Sequence, residues 1–502
     1  MSINLPVNPG LGLSPADDDK RFFGHPRGLA TLFFTEMWER FSFYGMKALL
    51  ILFLTASVER GGLGFGVAKA GAIYGLYSAM VYLVSLPGGW IADRIFGQRR
   101  SVLYGGIIIA CGHFSMAIPG LTTFYLGLSL IVIGTGLLKP NISTMVGALY
   151  SENDHRRDAG FSIYYMGINI GALVSPLACG YVGERINWHL GFGLAGIGMT
   201  FGLIQYLLGA KHLGEAGLYP APTPDGPAVE KRRFLTGIGT VVAVLAALAI
   251  LGATGLMEIT AQRLADLVGV LLIVLSVGVF VWLFTAGDWT AAEKKRFVVI
   301  AVLFLASALF WSAYEQAGST LNLFAERNTD RHLFGYEYPA SWFQSVGSLY
   351  LIAIAPVMAW LWVRMGSKDP SSPAKFAWGL VFVGAGFVVL AVGAIRAQSG
   401  VQVSAIWLWM TYLLHTLGEL CLSPVGLSAF TKLAPARVAG LMMGVWFLST
   451  SIGDYIGGRL AALYETFTLP ALFGTVAAFA IVLGLLLFLF VKPLKKLTGG
   501  IN

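Results

Sequence analysis

The amino-acid sequence predicts an all-α protein made of many membrane-spanning helices, and three observations carry that reading. Of 502 residues, 56% are hydrophobic and only 12% charged, about half the charged share of an ordinary soluble domain. Apolar runs of roughly 20 residues recur along almost the whole chain, the length a helix needs to cross a bilayer while satisfying its own backbone groups. The chain also holds 63 glycines and 20 prolines. Such numbers would break soluble helices, but membrane bundles use small residues for close helix approach and repair broken turns through neighbours.

Taken in order, apolar runs bounded by charges or turn residues fall near 29–56, 68–93, 101–118, 123–149, 159–182 and 190–209. A polar, proline-containing segment follows, KHLGEAGLYPAPTPDGPAVEKRR, and then two runs near 235–255 and 265–286. The last six lie near 297–324, 342–363, 375–396, 403–430, 439–463 and 470–491, which makes fourteen helices in all. The expected organisation is therefore an N-terminal segment (1–28), a six-helix bundle (29–210), a linker (211–234), an inserted helix pair (235–287), a second six-helix bundle (288–491) and a tail (492–502).

Basic residues set the expected orientation. With the N-terminus cytoplasmic, every inner loop carries at least two Lys or Arg, whereas the outer side holds only Arg60, Lys69, Arg185, Arg263, Arg327, Arg331, Arg396 and Arg459. By the positive-inside rule both termini face the cytoplasm. This distribution also accounts for the formal charge of +8 without nucleic acid. No apolar signal-peptide core precedes the first run, which is expected to stay as an uncleaved anchor. Cys111, Cys179 and Cys421 lie singly in apolar runs, which points to neither a disulfide nor a metal.

Two six-helix halves with a substrate site between them at the bilayer midplane are the plan of a major facilitator. The segment GGWIADRIFGQRR between the second and third helices resembles the facilitator loop signature through Gly89, Asp93, Arg94, Gly97, Arg99 and Arg100. Such a loop offers a tight turn, a carboxylate for a helix N-terminus and arginines able to pair across the seam between halves. Plain positive-inside anchoring is the other reading.

Ionisable residues deep within spanning runs are the strongest functional signal, since each costs about 2.5–3.5 kcal/mol to insert. Glu36, Glu39 and Arg40 share one helix face at i, i+3 and i+4, with Lys47 two turns further. Two carboxylates beside one guanidinium favour an exchangeable proton on one of them, although a structural ion-pair cluster is the alternative. Lys139 sits mid-helix without an acid nearby in sequence, and Glu315 and Glu419 are buried acids of the second half. A zwitterionic substrate fits this balance, its carboxylate near Lys139 or Lys47 and its ammonium near Glu419. Tyr44, Tyr77, Tyr165, Trp311 and Trp446 share helices with these charges and serve either packing or a pocket. His113 and His415 are read as packed or hydrogen-bonded histidines rather than proton relays.

These residues resemble the proton-dependent oligopeptide transporter (POT) family. The first helix has its ExxER pattern as Glu36, Glu39 and Arg40, followed by FSFYG, and the fifth has FxxxYxxxNxG as Phe161, Tyr165, Asn169 and Gly171. GTGLLKPN, FWSAYEQAGS, GELCLSPVGLS and MGVWF are similar to family segments on helices four, seven, ten and eleven, counted without the inserted pair. That pair resembles the two extra helices of bacterial members.

The resemblance implies import of di- and tripeptides across the cytoplasmic membrane, coupled to inward proton flow by alternating access. A related transporter of drugs, nitrate or other small solutes is the alternative. It implies proton coupling by Glu36, Glu39 and Arg40, a gate of Lys139 with Glu419, and a second gate of Lys47 with Glu315. Peptide would be held by Tyr44, Lys47, Tyr77, Lys139, Tyr165, Asn169, Glu419 and Ser423, with Trp311 and Trp446 lining side-chain pockets. No enzymatic activity, metal or cofactor is expected beyond the coupling proton, and a monomer surrounded by lipid is the expected working unit. Two departures stand out: Lys47 replaces the usual arginine, a fork becoming a point charge, and Gly347-Ser348 replace Asn-Pro.

Overall fold

The computed structural model describes residues 19–151, 154–220, 226–435 and 438–499. The expected segments 1–28, 211–234 and 492–502 therefore lie in part outside the described residues. Fourteen long helical elements follow one another: α1 (Arg27–Thr55), α2 (Val67–Phe96), α3 (Gln98–Ala117), α4 (Leu121–Ala148), α5 (Arg157–Arg185), α6 (Trp188–Gly209), α7 (Gly226–Ala253), α8 (Ala261–Thr285), α9 (Ala291–Asn328), α10 (Phe343–Met365), α11 (Ser372–Ala397), α12 (Ile406–Leu433), α13 (Ala439–Ala461) and α14 (Leu469–Leu497). Eleven are long and apolar enough to cross a membrane by composition alone. The exceptions are α1, with its four internal charges, and α3 and α13, which carry Arg99 and Arg100 or Asp454 and Arg459.

Each expected span is thus a helix, but two are interrupted. In α2, Val84 separates Val67–Leu83 from Ser85–Ile91, and a π-helical turn, Ala92–Phe96, completes the element. In α9, the helix Ala291–Tyr314 tightens into a 3₁₀ turn at Glu315–Gly318 before resuming at Thr320. The break lies at Gly318, where a Cβ would fall 1.9 Å from the Tyr74 hydroxyl. The all-α expectation has one small exception in the connecting segments. Two residue pairs, Thr329–Asp330 and Val403–Ser404, run parallel, and His332–Leu333 pairs with Tyr336–Glu337 around a turn at Phe334 and Gly335 with positive φ at both.

Helices α1–α6 pack as one bundle, in which α1 lies against α5 and α6 and α3 lies against α4. Close contact comes from glycine: at Gly105 a Cβ would stand 2.6 Å from the Gly134 carbonyl oxygen, and at Gly127 2.6 Å from that of Gly112. Helices α9–α14 form the second bundle, with α11 against α12 and α14 and α9 against α13. The inserted pair has another character. No residue of the apolar window of α7 is buried, and Leu235, Ile238, Val241 and Val242 are all exposed. So much contiguous apolar surface requires lipid, and the chain is a multi-pass membrane protein.

The bundles meet along α1/α9, α2/α13 and α5/α10. Gly75 of α2 and Gly458 of α13 approach so closely that a Cβ at Gly75 would lie 2.7 Å from the Gly458 Cα. Ser451 donates to the Ala79 carbonyl (2.8 Å), Asn322 to Ala48 (2.8 Å) and Ser345 to Leu173 (2.7 Å). The Glu184 carboxylate accepts from the amides of Ala340 and Ser341, both at 2.9 Å. Glu184 lies at the Arg185 end of α5 and Ala48 in the Thr55 half of α1, while Ala79, Ser451 and Leu173 lie nearer mid-helix, so the seam is fastened from its middle to that end.

Candidate functional site

The helical spacing of α1 does what its sequence implies. Glu36, Glu39 and Arg40 are all buried, with Arg40 Nε 3.4 Å from Glu36 Oε1 and Arg40 Nη2 2.6 Å from Glu39 Oε1. Arg40 Nε also donates to Glu39, and its guanidinium lies 4.7 Å from the Phe43 ring centroid. Glu39 holds Arg40 by a fork, whereas Glu36 has one oxygen without any donor. Across the seam from the next turns of α1, Lys47 Nζ donates to Glu315 Oε2 at 2.6 Å. The 3₁₀ turn of α9 delivers Glu315 to that position, and Tyr74 of α2 presents its ring 5.5 Å from the same ammonium. The two halves are therefore joined by an ion pair.

Lys139 and Glu419 stand apart instead. Lys139 Nζ lies 3.9 Å above the Tyr82 ring, within Coulombic reach of Arg40, Glu39 and Glu36. Glu419 accepts a hydrogen bond from the Tyr314 hydroxyl. Around it, Tyr165 (39% exposed) is within Coulombic reach of Glu419 and Tyr44. Asn169 donates to the Tyr165 carbonyl (2.9 Å), and Ser423 is half-buried one helical turn beyond Glu419. Trp311 stacks edge-on with Phe310 and Tyr314 at 5.4 Å from each. Tyr77 is buried beside Phe43, its hydroxyl without a partner, and Trp446 is buried against Phe430 (5.4 Å) and Phe376 (6.5 Å). In this arrangement Tyr77 and Trp446 are packed residues, and Trp311 and Tyr165 keep partial exposure.

A family model described as the POT family matches residues 99–482. Relatives are long and close: the peptide transporter YePEPT of Yersinia enterocolitica is 42% identical over 96% of this chain and 97% of its own. A di-/tripeptide transporter of Lactococcus lactis is 38% identical over 96% and 99%. The chain belongs to the POT family. A solved crystal structure of a POT peptide transporter in complex with sulfate superposes with a TM-score of 0.90 at 44% identity, covering 95% of this chain and 97% of the other.

Two features of this POT member are seen only in the folded chain. In this conformation the arginines of the loop signature take partners in neighbouring segments. Arg99 donates to the carbonyls of Ala216 (2.8 Å) and Gly214, and Arg94 pairs with Glu230 of α7 at 3.1 Å. They clasp the segment after α6 and the root of the inserted pair, while Gly97, at φ +78°, turns the chain into α3. Asp93 accepts only a long bond from Gln98 (3.5 Å), Arg100 is exposed, and Gly89 lies 3.8 Å from Pro140 at its would-be Cβ. The second is an acid that sequence reasoning missed. Asp454 of α13 is 1% exposed, and no donor reaches either of its oxygens. Its only sequence signal is a lone Asp in SIGDYIGG, well inside the expected run 439–463.

Proposed function

We propose that this chain is a proton-coupled symporter that imports di- and tripeptides across the bacterial cytoplasmic membrane, working as a monomer with both termini inside. The observation that carries the reading is the balance of buried charge along the seam. Five acids (Glu36, Glu39, Glu315, Glu419 and Asp454) face three bases (Arg40, Lys47 and Lys139) in a region where an unpaired ion is severely penalised. Surplus carboxyls in such a setting hold protons, and protons held there can be exchanged as the halves move. Lys139 on one half and Glu419 on the other, each without a countercharge in contact, complement the carboxylate and ammonium of a short peptide.

Alternating access follows from the same groups. With the Thr55 end fastened and Lys139 and Glu419 apart, the arrangement matches a protein open towards the side of the Arg27 end, which the basic loops assign to the cytoplasm. Peptide termini that bind Lys139 and Glu419 shift the equilibrium only by their different affinity for the two states. The test is uptake of a labelled dipeptide and tripeptide panel into proteoliposomes with and without an inward proton gradient. Accumulation above the external concentration is expected only with the gradient. Gradient-driven uptake of nitrate or drugs that peptides do not compete would overturn the peptide assignment.

A further inference from the structure

Asp454 sits where α13 is held closest to both of its neighbours. A Cβ at Gly453 would lie 2.4 Å from the Trp311 Cβ of α9, one at Gly457 3.1 Å from the Ser312 carbonyl, and one at Gly458 2.3 Å from the Gly75 Cα of α2. Helices this tightly apposed leave no room for solvent, and Asp454 is accordingly 1% exposed. No donor reaches either oxygen of its carboxyl, and the charged group that acts on it most strongly is Glu315, an acid like itself. Glu315 already receives Lys47 at 2.6 Å. Other charged or titratable groups in reach are Lys139 of α4 and Tyr74 and Tyr82 of α2. On the side of α8, Asp266 and Arg459 satisfy each other at 3.0 Å.

One ammonium cannot neutralise two carboxylates in a dry site. A buried carboxyl that no donor reaches also keeps its own hydrogen, since an ionised carboxylate is an acceptor alone. We propose that Asp454 is a proton-binding site of the seam and that loss of this proton releases the fastened end. While the proton is held, Lys47 belongs to Glu315 and α2 closes on α13. When it leaves as a hydrated proton, Asp454 is left ionised in a dry crossing without a donor, and parting α2 from α13 admits the water that the carboxylate needs. Re-protonation from water on the opened side closes the end again. This inference rests on the proton-coupled reading above and adds to it a second titrating site, on the half opposite Glu36 and Glu39.

Spin labels at Val58 and Phe334, both highly exposed and on opposite halves, report the separation of this end in the purified full-length protein. In the unsubstituted protein the wide-distance population is expected to grow as pH rises. Asp454→Asn, which mimics the protonated acid, should stay narrow and lose more than half of that pH response. Asp454→Glu should keep the response with a displaced midpoint. If Asp454→Asn does not fold, Asp454→Ser is measured in its place. A pH response retained at half or more of its original size in either neutral variant overturns the proposal, and so does a flat response in the unsubstituted protein. Peptide counterflow by the unsubstituted protein, run in parallel, separates this outcome from failure of the transport reading. Absence of counterflow sinks the peptide assignment whatever the labels report.

Discussion

Glu36 and Glu39 illustrate how one turn of helix separates two chemically identical side chains. Glu39 holds Arg40 through two bonds, while Glu36 meets the same guanidinium only at 3.4 Å and keeps one oxygen bare. Glu36 is thus the acid of the pair more easily spared, and Glu36→Gln is expected to abolish uphill accumulation of peptide while leaving exchange of peptide down its gradient measurable. Proteoliposome uptake set against counterflow distinguishes the two. Position 347 offers a second residue-scale test. A Cβ there would stand 3.7 Å from Tyr412 and 4.0 Å from the Tyr314 hydroxyl, ordinary contact distances, so Gly347→Asn should fold normally. Its amide would arrive beside the Tyr314 and Glu419 pair, and the expected result is a severalfold change in competition by peptides with a free rather than an acetylated N-terminus. An unchanged competition series would show that the missing amide has no bearing on selectivity.

Among the elements, most spans were legible in the sequence to within four residues because hydropathy over 20 residues is what the bilayer itself selects, whereas α7 and α9 begin earlier and α14 ends later than their apolar runs, extended by polar helical turns. The interruptions in α2 and α9 were not, since Val84 and Glu315–Gly318 lie in runs as apolar as any other and a window average cannot register a changed hydrogen-bond ladder. Pairing partners were hidden for a related reason. Composition says that Arg94 and Arg99 are cationic and cytoplasmic, but only the folded chain shows Arg99 bonded to the carbonyls after α6 rather than across the seam. The link between Lys47 and Glu315 came from family resemblance, as nothing in their 268-residue separation implies it. Asp454 went unrecognised because it is a lone acid among small residues, with no charged partner at helical spacing to mark it. Small residues at the seam give the matching prediction: Gly75→Val would drive a side chain into the Gly458 backbone. The cost expected is about 1–3 kcal/mol, the usual range for overpacking, read as a lower melting temperature in detergent and a larger wide-distance population at the Thr55 end.

At the scale of the whole molecule, the proposed alternating access requires the junction of the two bundles at the Arg185 end of α5 to open and close. A Cβ at Gly180 would lie 3.1 Å from the Ser341 Cβ, near enough for a slightly adjusted disulfide, whose usual spacing is about 3.8 Å. Gly180→Cys with Ser341→Cys, in a background of Cys111→Ser, should therefore crosslink α5 to the start of α10 under mild oxidation. Uptake should fall to background and return on reduction, whereas either single cysteine should respond to neither treatment. Uptake undiminished by a crosslink proven complete would mean that this end never parts.

The fastening at the Thr55 end is shared among a buried ion pair, a glycine-on-glycine crossing and a carboxylate gripping two amides, each carried on a stiff helix. Stiff parts cannot peel away one contact at a time, so these grips must let go together, in the manner of a latch. A latch of that kind has no stable half-open position, and the cell is spared a continuous pore through which its proton gradient would drain.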